Sequence, residues 1–200
     1  MSHIEKLKLL IPMEEIEQTA QQQIYDILGL DCLKTLAIMP DVHAGYDLVI
    51  GGVALLDGNI SPSFVGYDIG CGMCHLSTGV QASEMFPTLE SKEALFHKIV
   101  EHIPSGFACR KAGDNGFHKF DSLTGNKQLI DRVNDRVAMQ SGTLGGGNHF
   151  IEVGENRNGE VCVTIHSGSR NAGHTIGEYY MRKGRMFPLD SELGQAYYHD

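Results

Sequence analysis

The sequence predicts an α+β fold, formed as one domain over residues 1–200. Segments with helical periodicity and short apolar strand-like segments follow one another irregularly, rather than as repeated strand–helix–strand units. No internal repeat recurs at a fixed period. Hydrophobic residues make up 42% of the chain, which is enough to bury a core, and no apolar stretch has the length of a membrane span. These observations favour a single globular domain.

The pattern of apolar residues in the first half of the chain predicts one helix and two strands. Residues 13–28 carry apolar side chains at helical spacing, and Gly29 follows as a stop signal. The apolar face of this helix comprises Ile16, Ala20, Ile24, Ile27 and Leu28. The expected strands are Thr35–Met39, which is buried and which Pro40 ends, and Val49–Leu56, which a turn at residues 57–59 follows.

The pattern of apolar residues in the second half predicts two more helices and a pair of strands. One helix is expected over residues 91–103, with Ser91 as its N-cap and with Leu95, Ile99 and Ile103 facing inward. After a loop over residues 113–125, residues 126–140 place Leu129, Val133 and Val137 on one helical face. The expected strands are Phe150–Val153 and Val161–Ile165, joined by a polar turn over residues 154–159.

The net charge of −9 comes from the first 91 residues, because residues 92–200 carry equal numbers of acidic and basic side chains. Affinity for nucleic acid comes mostly from phosphate neutralisation, so a general nucleic-acid coat is excluded. A local basic groove remains open, since eight lysines and arginines fall within residues 92–137. The alternative for this cluster is an ordinary solvated helix face.

The five cysteines are odd in number, and their spacing matches no disulfide framework. The N-terminus shows no export signal, so we expect reduced thiols and a cytoplasmic protein. Ten histidines in 200 residues is a high number for a globular chain. Some of these cysteines and histidines are therefore candidates for metal ligands.

Four glycine-rich segments lie at strand ends, at residues 39–45, 65–75, 142–152 and 165–170. Three of them carry the side chains best suited to ligate a metal. These side chains are Asp68, Cys71, His149 and His166. Strand ends are rigid mounts, and glycine lets the backbone approach a ligand closely. A set of oxygen, nitrogen and sulfur ligands suits Zn²⁺, Mn²⁺, Fe²⁺ or Co²⁺ better than Ca²⁺ or Mg²⁺, and the thiolate could bridge two ions. The alternative is four unrelated polar residues, each satisfied separately.

Other interpretations of these segments are weaker. Residues 71–75 match the C-x-x-C-H pattern of c-type haem attachment, but that chemistry needs export. The glycine-rich run at residues 142–148 lacks the Lys-Ser/Thr of a P-loop, although its backbone could still cradle a phosphate. A small structural zinc protein that uses Cys71, Cys74, His149 and His166 remains open.

Together the four segments closely resemble the RtcB family of RNA-splicing ligases. The family motifs are DVHxGxxxxIGGV, VGxDIxCGM, GTLGxGNHFIE and HSGSRxxGH. In this chain they stand at Asp41–Val53, Val65–Met73, Gly142–Glu152 and His166–His174. Four independent motifs in the family's order make the resemblance specific, and it implies an RtcB-like fold of layered β-sheets flanked by helices.

The resemblance implies a role for each matching residue. It assigns one Mn²⁺ to Asp68, Cys71 and His149, and a second Mn²⁺ in part to Cys71 and His166. It assigns nucleotide contacts to Asn148 and Glu152, contacts with RNA or phosphate to Arg136 and Arg170, and catalytic roles to Asp41 and the neighbouring His43. The implied cofactors are Mn²⁺, two per complete site, and GTP.

The resemblance also implies a reaction and its partners. The family joins an RNA 3′-phosphate or 2′,3′-cyclic phosphate to a 5′-hydroxyl through a guanylated histidine. Family chains are longer, and the additional portion carries the guanylate-accepting histidine and a further metal ligand, so we expect this chain to be the N-terminal portion. A separate C-terminal half or an archease-like activator is an expected partner, and no membrane is involved. The alternative from another class is a non-catalytic protein that binds metal or RNA ends.

Overall fold

A computed structural model of the protein describes residues 3–111, 123 and 127–200. The chain groups into two compact units. The first comprises Met1–Gly66, Leu123–Asn126 and Gly177–Asp200, and the second comprises Tyr67–Ser122 and Lys127–Ile176. Among the described residues, no helix has both the length and the apolar character needed to cross a membrane.

The described residues form eight strands and seven α-helices. The strands are β1 (Leu7–Leu9), β2 (Leu33–His43), β3 (Ile50–Leu56), β4 (Asn59–Ile60), β5 (Gly72–Gln81), β6 (Phe150–Glu155), β7 (Glu160–Ser167) and β8 (Phe187–Pro188). The helices are α1 (Gln18–Leu28), α2 (Pro62–Val65), α3 (Ala82–Met85), α4 (Leu89–His102), α5 (Lys127–Gln140), α6 (Asn171–Met181) and α7 (Glu192–His199). Short 3₁₀ turns lie at His3–Lys6 and Met13–Glu15. This mixture agrees with the α+β class, while the layering of the sheets and the single domain stay predictions.

In the first unit, α1 packs on a three-stranded sheet of order β1–β2–β3. Strand β1 runs parallel to β2, and β3 runs antiparallel to it. The apolar face predicted for α1 is confirmed, since Ile16, Ala20, Ile24, Ile27 and Leu28 are all buried in the core of this unit. The α-helix begins at Gln18 instead of residue 13, because residues 13–15 form a 3₁₀ turn. Strands β4 and β8 form a separate antiparallel pair in this unit.

The expectation that Pro40 ends the first strand is wrong, because β2 continues to His43. The pairing with β3 shifts register between Ile38 and His43, so Pro40 lies in the irregular part of the ladder. Proline has no N–H to donate, and an irregular stretch is where a strand tolerates it. The buried strand itself is confirmed, since Leu36 and Ile38 are fully buried.

In the second unit, β5, β7 and β6 form an antiparallel sheet in that order. The predicted pair of strands is confirmed as the hairpin of β6 and β7. The sequence analysis predicts no strand over residues 72–81, where the structure has β5. Most residues of β5 are exposed, so the strand lacks the apolar run by which a buried strand is recognised.

The two predicted helices of the second unit are present as α4 and α5. The N-cap of α4 is Thr88, not Ser91, because the Thr88 side chain accepts from the Ser91 N–H in a capping box. The predicted inward residues Leu95, Ile99 and Ile103 are only half-buried, and they line a cavity of about 590 Å³ against β6. In α5, Leu129, Val133 and Val137 are buried as predicted. The loop predicted over residues 113–125 lies outside the described residues, apart from Leu123.

Candidate metal centre

The candidate ligands meet at one edge of the β5–β7–β6 sheet. Strand β7 runs antiparallel to both neighbours, so the starts of β5 and β6 lie beside the end of β7. His166, near that end, pairs with Met73 on one side and with Phe150 on the other. Cys71 immediately precedes β5, and His149 immediately precedes β6. The sheet topology therefore brings three separate segments to one place.

Distances between side chains show that the four predicted ligands converge. Cys71 Sγ lies 2.8 Å from His166 Nε2 and 3.7 Å from His149 Nε2. Asp68 Oδ2 lies 3.4 Å from the same His149 Nε2. The ligand atoms of Cys71, His149 and His166 all lie within 4.8 Å of one another. A thiol, two imidazoles and a carboxylate thus form one group, which we call the Cys71 cluster.

The orientation of the His149 ring is fixed by a backbone carbonyl. His149 Nδ1 lies 3.2 Å from the Leu144 carbonyl oxygen, which can only accept, so Nδ1 carries the proton. In the neutral ring, Nε2 therefore keeps its lone pair, and it faces Cys71 and Asp68. The Ser167 hydroxyl donates to the same carbonyl at 2.9 Å. A carbonyl that orients an imidazole in this way is typical of histidines that ligate metal ions.

Two glycines allow the close packing around the Cys71 cluster. A Cβ at Gly168 would lie 2.9 Å from Asp68 Oδ1 and 3.1 Å from the Cys71 Cα. Gly145 has a φ of +98°, and a Cβ there would lie 2.7 Å from His149 Nδ1 and would also collide with the Arg170 guanidinium. The Ser169 hydroxyl donates to the Ile69 carbonyl, which ties the Asp68–Cys71 loop to the segment after β7. Glycine is therefore needed on both sides of the cluster.

The electrostatic setting favours a cation over a bare thiolate. Burial, a hydrogen bond to Asp68 and the negative charge of that carboxylate together raise the pKa of Cys71 to about 11. These effects disfavour a second negative charge beside Asp68. A divalent cation would reverse this preference, because it stabilises the thiolate and the carboxylate together.

Arg170 lies beside the Cys71 cluster, since a Cβ built on Gly145 would collide with both the Arg170 guanidinium and His149 Nδ1. Its φ is +58°, in the left-handed region that non-glycine residues seldom occupy. Its guanidinium donates to the Gly106 carbonyl at 2.7 Å and to Thr143 Oγ1 at 3.3 Å. The strained backbone and both hydrogen bonds hold one positive charge at the border of the cluster.

The other predicted site residues lie on several elements. Asn148 is exposed directly before His149, and Glu152 is exposed on β6, two residues after Phe150. Arg136 is exposed on α5. Asp41 and His43 are exposed at the end of β2, in the first compact unit, whereas the other candidates belong to the second. His43 Nδ1 donates to the Asp41 carbonyl at 2.9 Å.

Cys74 lies outside the Cys71 cluster. It pairs with Ile165 on β7, one residue from the pair of Met73 and His166. Because successive side chains of a strand point to opposite faces, Cys74 faces away from His166. The geometry therefore argues against a structural zinc site that includes Cys74.

Two features at or near this site could not be found from the sequence. The Leu144 carbonyl orients His149, but a backbone carbonyl has no sequence signature. His75 lies on the same face of β5 as Met73, beside His166 on β7, and its ring is hydrogen-bonded to Thr164. The C-x-x-C-H pattern drew attention to His75, but only recognition of β5 as a strand could have placed it beside the cluster.

One family of known proteins matches most of this chain. The family model described as tRNA-splicing ligase RtcB matches residues 23–125 and 114–196. The RNA-splicing ligase RtcB of Escherichia coli is 33% identical over 181 residues, which cover 83% of this chain and 44% of that protein. The tRNA-splicing ligase RtcB of Aeropyrum pernix is 32% identical, and the match covers 80% of this chain and 44% of that protein. The chain thus spans less than half the length of these relatives, and it belongs to the RtcB family.

Proposed function

We propose that this chain supplies the metal centre of a GTP- and Mn²⁺-dependent RNA ligase. The ligase would join RNA 3′-phosphate or 2′,3′-cyclic phosphate ends to 5′-hydroxyl ends. The observation that carries the proposal is the convergence of Asp68, Cys71, His149 and His166 on one sheet edge. Family membership supports RNA as the substrate, since the matched relatives are named RNA-splicing and tRNA-splicing ligases.

The donor set fits Mn²⁺. One carboxylate, one thiol and two imidazoles are ligands that divalent transition metals accept, and Cys71 is the donor that stands between the two imidazoles. Asp68, Cys71 and His149 would hold one ion, and Cys71 and His166 would contribute to a second. When bound, the ions would stabilise negative charge on the phosphate oxygens of the nucleotide and of the RNA end.

The residues around the cluster would position the phosphate. The Leu144 carbonyl keeps the lone pair of His149 Nε2 directed at the metal position, so that histidine needs no reorganisation on binding. Arg170 would attract the phosphate, since its guanidinium is fixed beside the cluster and always charged. Asn148 and Glu152 would contact the guanosine nucleotide, Arg136 would contact RNA or phosphate, and Asp41 and His43 would have catalytic roles.

A separate C-terminal half or an archease-like activator would complete the enzyme, and a cytoplasmic location stays a prediction. The resemblance matches no residue of this chain to the guanylate-accepting histidine. We therefore expect these 200 residues to bind Mn²⁺ and RNA ends without forming a covalent guanylate on their own.

Binding of RNA ends is the direct test of the proposal. Fluorescent RNA that ends in a 3′-phosphate is compared with the same RNA ending in a 3′-hydroxyl, with and without Mn²⁺. We expect tighter binding of the 3′-phosphate in the presence of Mn²⁺, and loss of that preference in Arg170→Ala. Equal binding of the two RNAs in the presence of Mn²⁺ would contradict the proposal.

Ligation is tested by adding the portion of the Escherichia coli relative that this chain does not match. Joining of the two RNAs with GTP and Mn²⁺ would support a ligase. If 3′-phosphate RNA binds but is never joined, the non-catalytic end-binding function is favoured instead.

A further inference from the structure

Among the large apolar side chains of the described residues, Phe107 is the most exposed, and its ring lies fully in solvent. It occupies the third position of a four-residue turn, which the Ala108 N–H closes by donating to the Ser105 carbonyl at 3.1 Å. A single exposed apolar side chain is common on protein surfaces and assigns no function by itself. The surroundings of this turn are what distinguish Phe107.

The turn is fixed to the glycine-rich segment that precedes β6. The Gly106 N–H donates to the Gly145 carbonyl at 2.7 Å, and the Leu144 N–H donates to the Pro104 carbonyl at 2.9 Å. The Leu144 carbonyl in turn orients His149 in the Cys71 cluster. The backbone of the turn is therefore held in a defined position beside the candidate metal centre.

Two arginines are anchored on either side of Phe107. The Arg170 guanidinium donates to the Gly106 carbonyl at 2.7 Å, one peptide bond from Phe107, so the Phe107 Cα lies within about 6 Å of this cation. Three residues further along, Arg110 donates to a carbonyl of the glycine-rich segment at 3.0 Å. Residues 102–111 contain no aspartate or glutamate. The surroundings of the aromatic ring are thus positively charged.

An exposed aromatic ring between fixed cations is typical of surfaces that bind single-stranded nucleic acid. The cations attract the phosphates, and the ring stacks on a base. A guanidinium suits phosphate because it is planar, always charged and able to donate two parallel hydrogen bonds. An apolar protein partner would use the ring but would gain nothing from the two arginines. The combination therefore favours RNA as the ligand of Phe107.

We propose that Phe107 binds the RNA substrate by stacking on the base of its 3′-terminal nucleotide. The terminal phosphate of the same nucleotide then lies at Arg170 and the Cys71 cluster. Every base has a π-face, so this contact holds the RNA end without selecting its sequence. The inference rests on the proposed function, because it requires that an RNA 3′-phosphate binds at the metal centre.

The test compares two RNAs that both end in a 3′-phosphate, one with an ordinary terminal nucleotide and one that lacks the terminal base. Their Kd values are measured by fluorescence anisotropy with Mn²⁺ for the wild-type chain, Phe107→Leu, Phe107→Tyr and the matched control Phe96→Leu, an exposed phenylalanine on α4. Leucine keeps an apolar side chain but removes the ring. We expect Phe107→Leu to weaken binding of the ordinary RNA about tenfold, with little change for the RNA without the base. Phe107→Tyr and Phe96→Leu should bind both RNAs like the wild-type chain.

A tryptophan at this position would report stacking directly. The chain contains no tryptophan, so Phe107→Trp introduces a single fluorescent indole. We expect the ordinary RNA to quench its emission and the RNA without the terminal base to leave it unchanged. Equal quenching by the two RNAs would overturn the inference.

The same measurements separate failure of this inference from failure of the proposed function. If Phe107→Leu weakens both RNAs equally, Phe107 supports the turn instead of contacting a base, and the inference is overturned. Unchanged binding of both RNAs in Phe107→Leu would also overturn it, and would favour a protein partner for the ring. In either case the wild-type preference for a 3′-phosphate over a 3′-hydroxyl would persist. Loss of that preference in the wild-type chain would contradict the proposed function itself.

Discussion

Helix α1 of the first compact unit buries its apolar residues far more completely than helix α4 of the second. Helices α1 and α4 are both amphipathic, yet α1 buries four residues against its sheet and α4 buries none. On α4, Phe96 and Val100 remain 63% and 60% exposed beside the 590 Å³ cavity. In the same unit, β5 is exposed along most of its length.

This difference bears on how the candidate metal centre is stabilised. The first unit is stabilised by close packing of aliphatic side chains, which is insensitive to ligands. The Cys71 cluster lies in the second unit, where glycines and single hydrogen bonds set its geometry. Such regions open at lower free energy, and a ligand that binds them stabilises them locally.

The largest expected effect is on the core of the first unit. Ile24 is fully buried at the centre of the contact between α1 and the sheet. We expect Ile24→Ala to lower the free energy of unfolding by about 2–5 kcal/mol, because it leaves a cavity. Val100→Ala on α4 should change it by no more than about 0.5 kcal/mol, since the side chain is largely exposed. Urea denaturation measures the free energy of unfolding of both variants, and equal decreases would contradict the contrast between α1 and α4.

A second prediction concerns Mn²⁺ and the second unit. At a free concentration 100 times its Kd, Mn²⁺ should stabilise the elements that hold the cluster by about 2.7 kcal/mol. Hydrogen exchange should therefore slow in β5, β6 and β7 and stay unchanged in α1. Slower exchange spread evenly over both units would contradict this assignment.

The pH dependence of Mn²⁺ binding gives a third, smaller effect. The pKa of Cys71 is raised to about 11, so the thiol is protonated at neutral pH and must lose its proton to ligate. Mn²⁺ affinity should therefore rise with pH, by about tenfold per unit well below pH 11. Titrations at pH 6.5, 7.5 and 8.5 would measure the slope. An affinity independent of pH over this range would show that Cys71 is not a ligand.

The smallest expected effect concerns the cap of α4. With no buried side chain, this helix depends on Thr88, whose hydroxyl accepts from the Ser91 N–H at 3.3 Å. Thr88→Ala should lower the free energy of unfolding by about 1 kcal/mol, whereas Thr88→Ser should keep the cap. Urea denaturation of the two variants side by side measures the difference, and identical curves would show that the capping box contributes nothing.

The packed elements were predictable from the sequence, and the exposed ones were not. The helical spacing of Ala20 and Ile24 in α1, and of Leu129 and Val133 in α5, is visible because those side chains are buried. Strand β5 has no such pattern, since the residues from Gly72 to Ser77 are exposed on both faces. The course of β2 through Pro40 depends on an irregular pairing with β3, which the sequence does not encode locally.

The Cys71 cluster was predictable in its members but not in its geometry. Ligand chemistry and the family motifs both selected Asp68, Cys71, His149 and His166, and the structure brings these side chains together. The Leu144 carbonyl and the position of His75 could not be predicted, because both depend on strand register and backbone path. Membership of the RtcB family is confirmed, whereas the roles of the individual residues stay predictions.

Calorimetric titration with Mn²⁺ of the wild-type chain, Cys71→Ala and Cys109→Ala tests most directly whether the cluster holds a metal. Cys109 is an exposed cysteine in the same unit but outside the cluster, so it is the matched control. The wild-type chain and Cys109→Ala should bind with the same Kd, and Cys71→Ala should bind at least about 100-fold more weakly, because a charged ligand shared by both ion positions is lost. Equal Mn²⁺ affinity in Cys71→Ala and the wild-type chain would contradict the assignment of the Cys71 cluster as a metal centre.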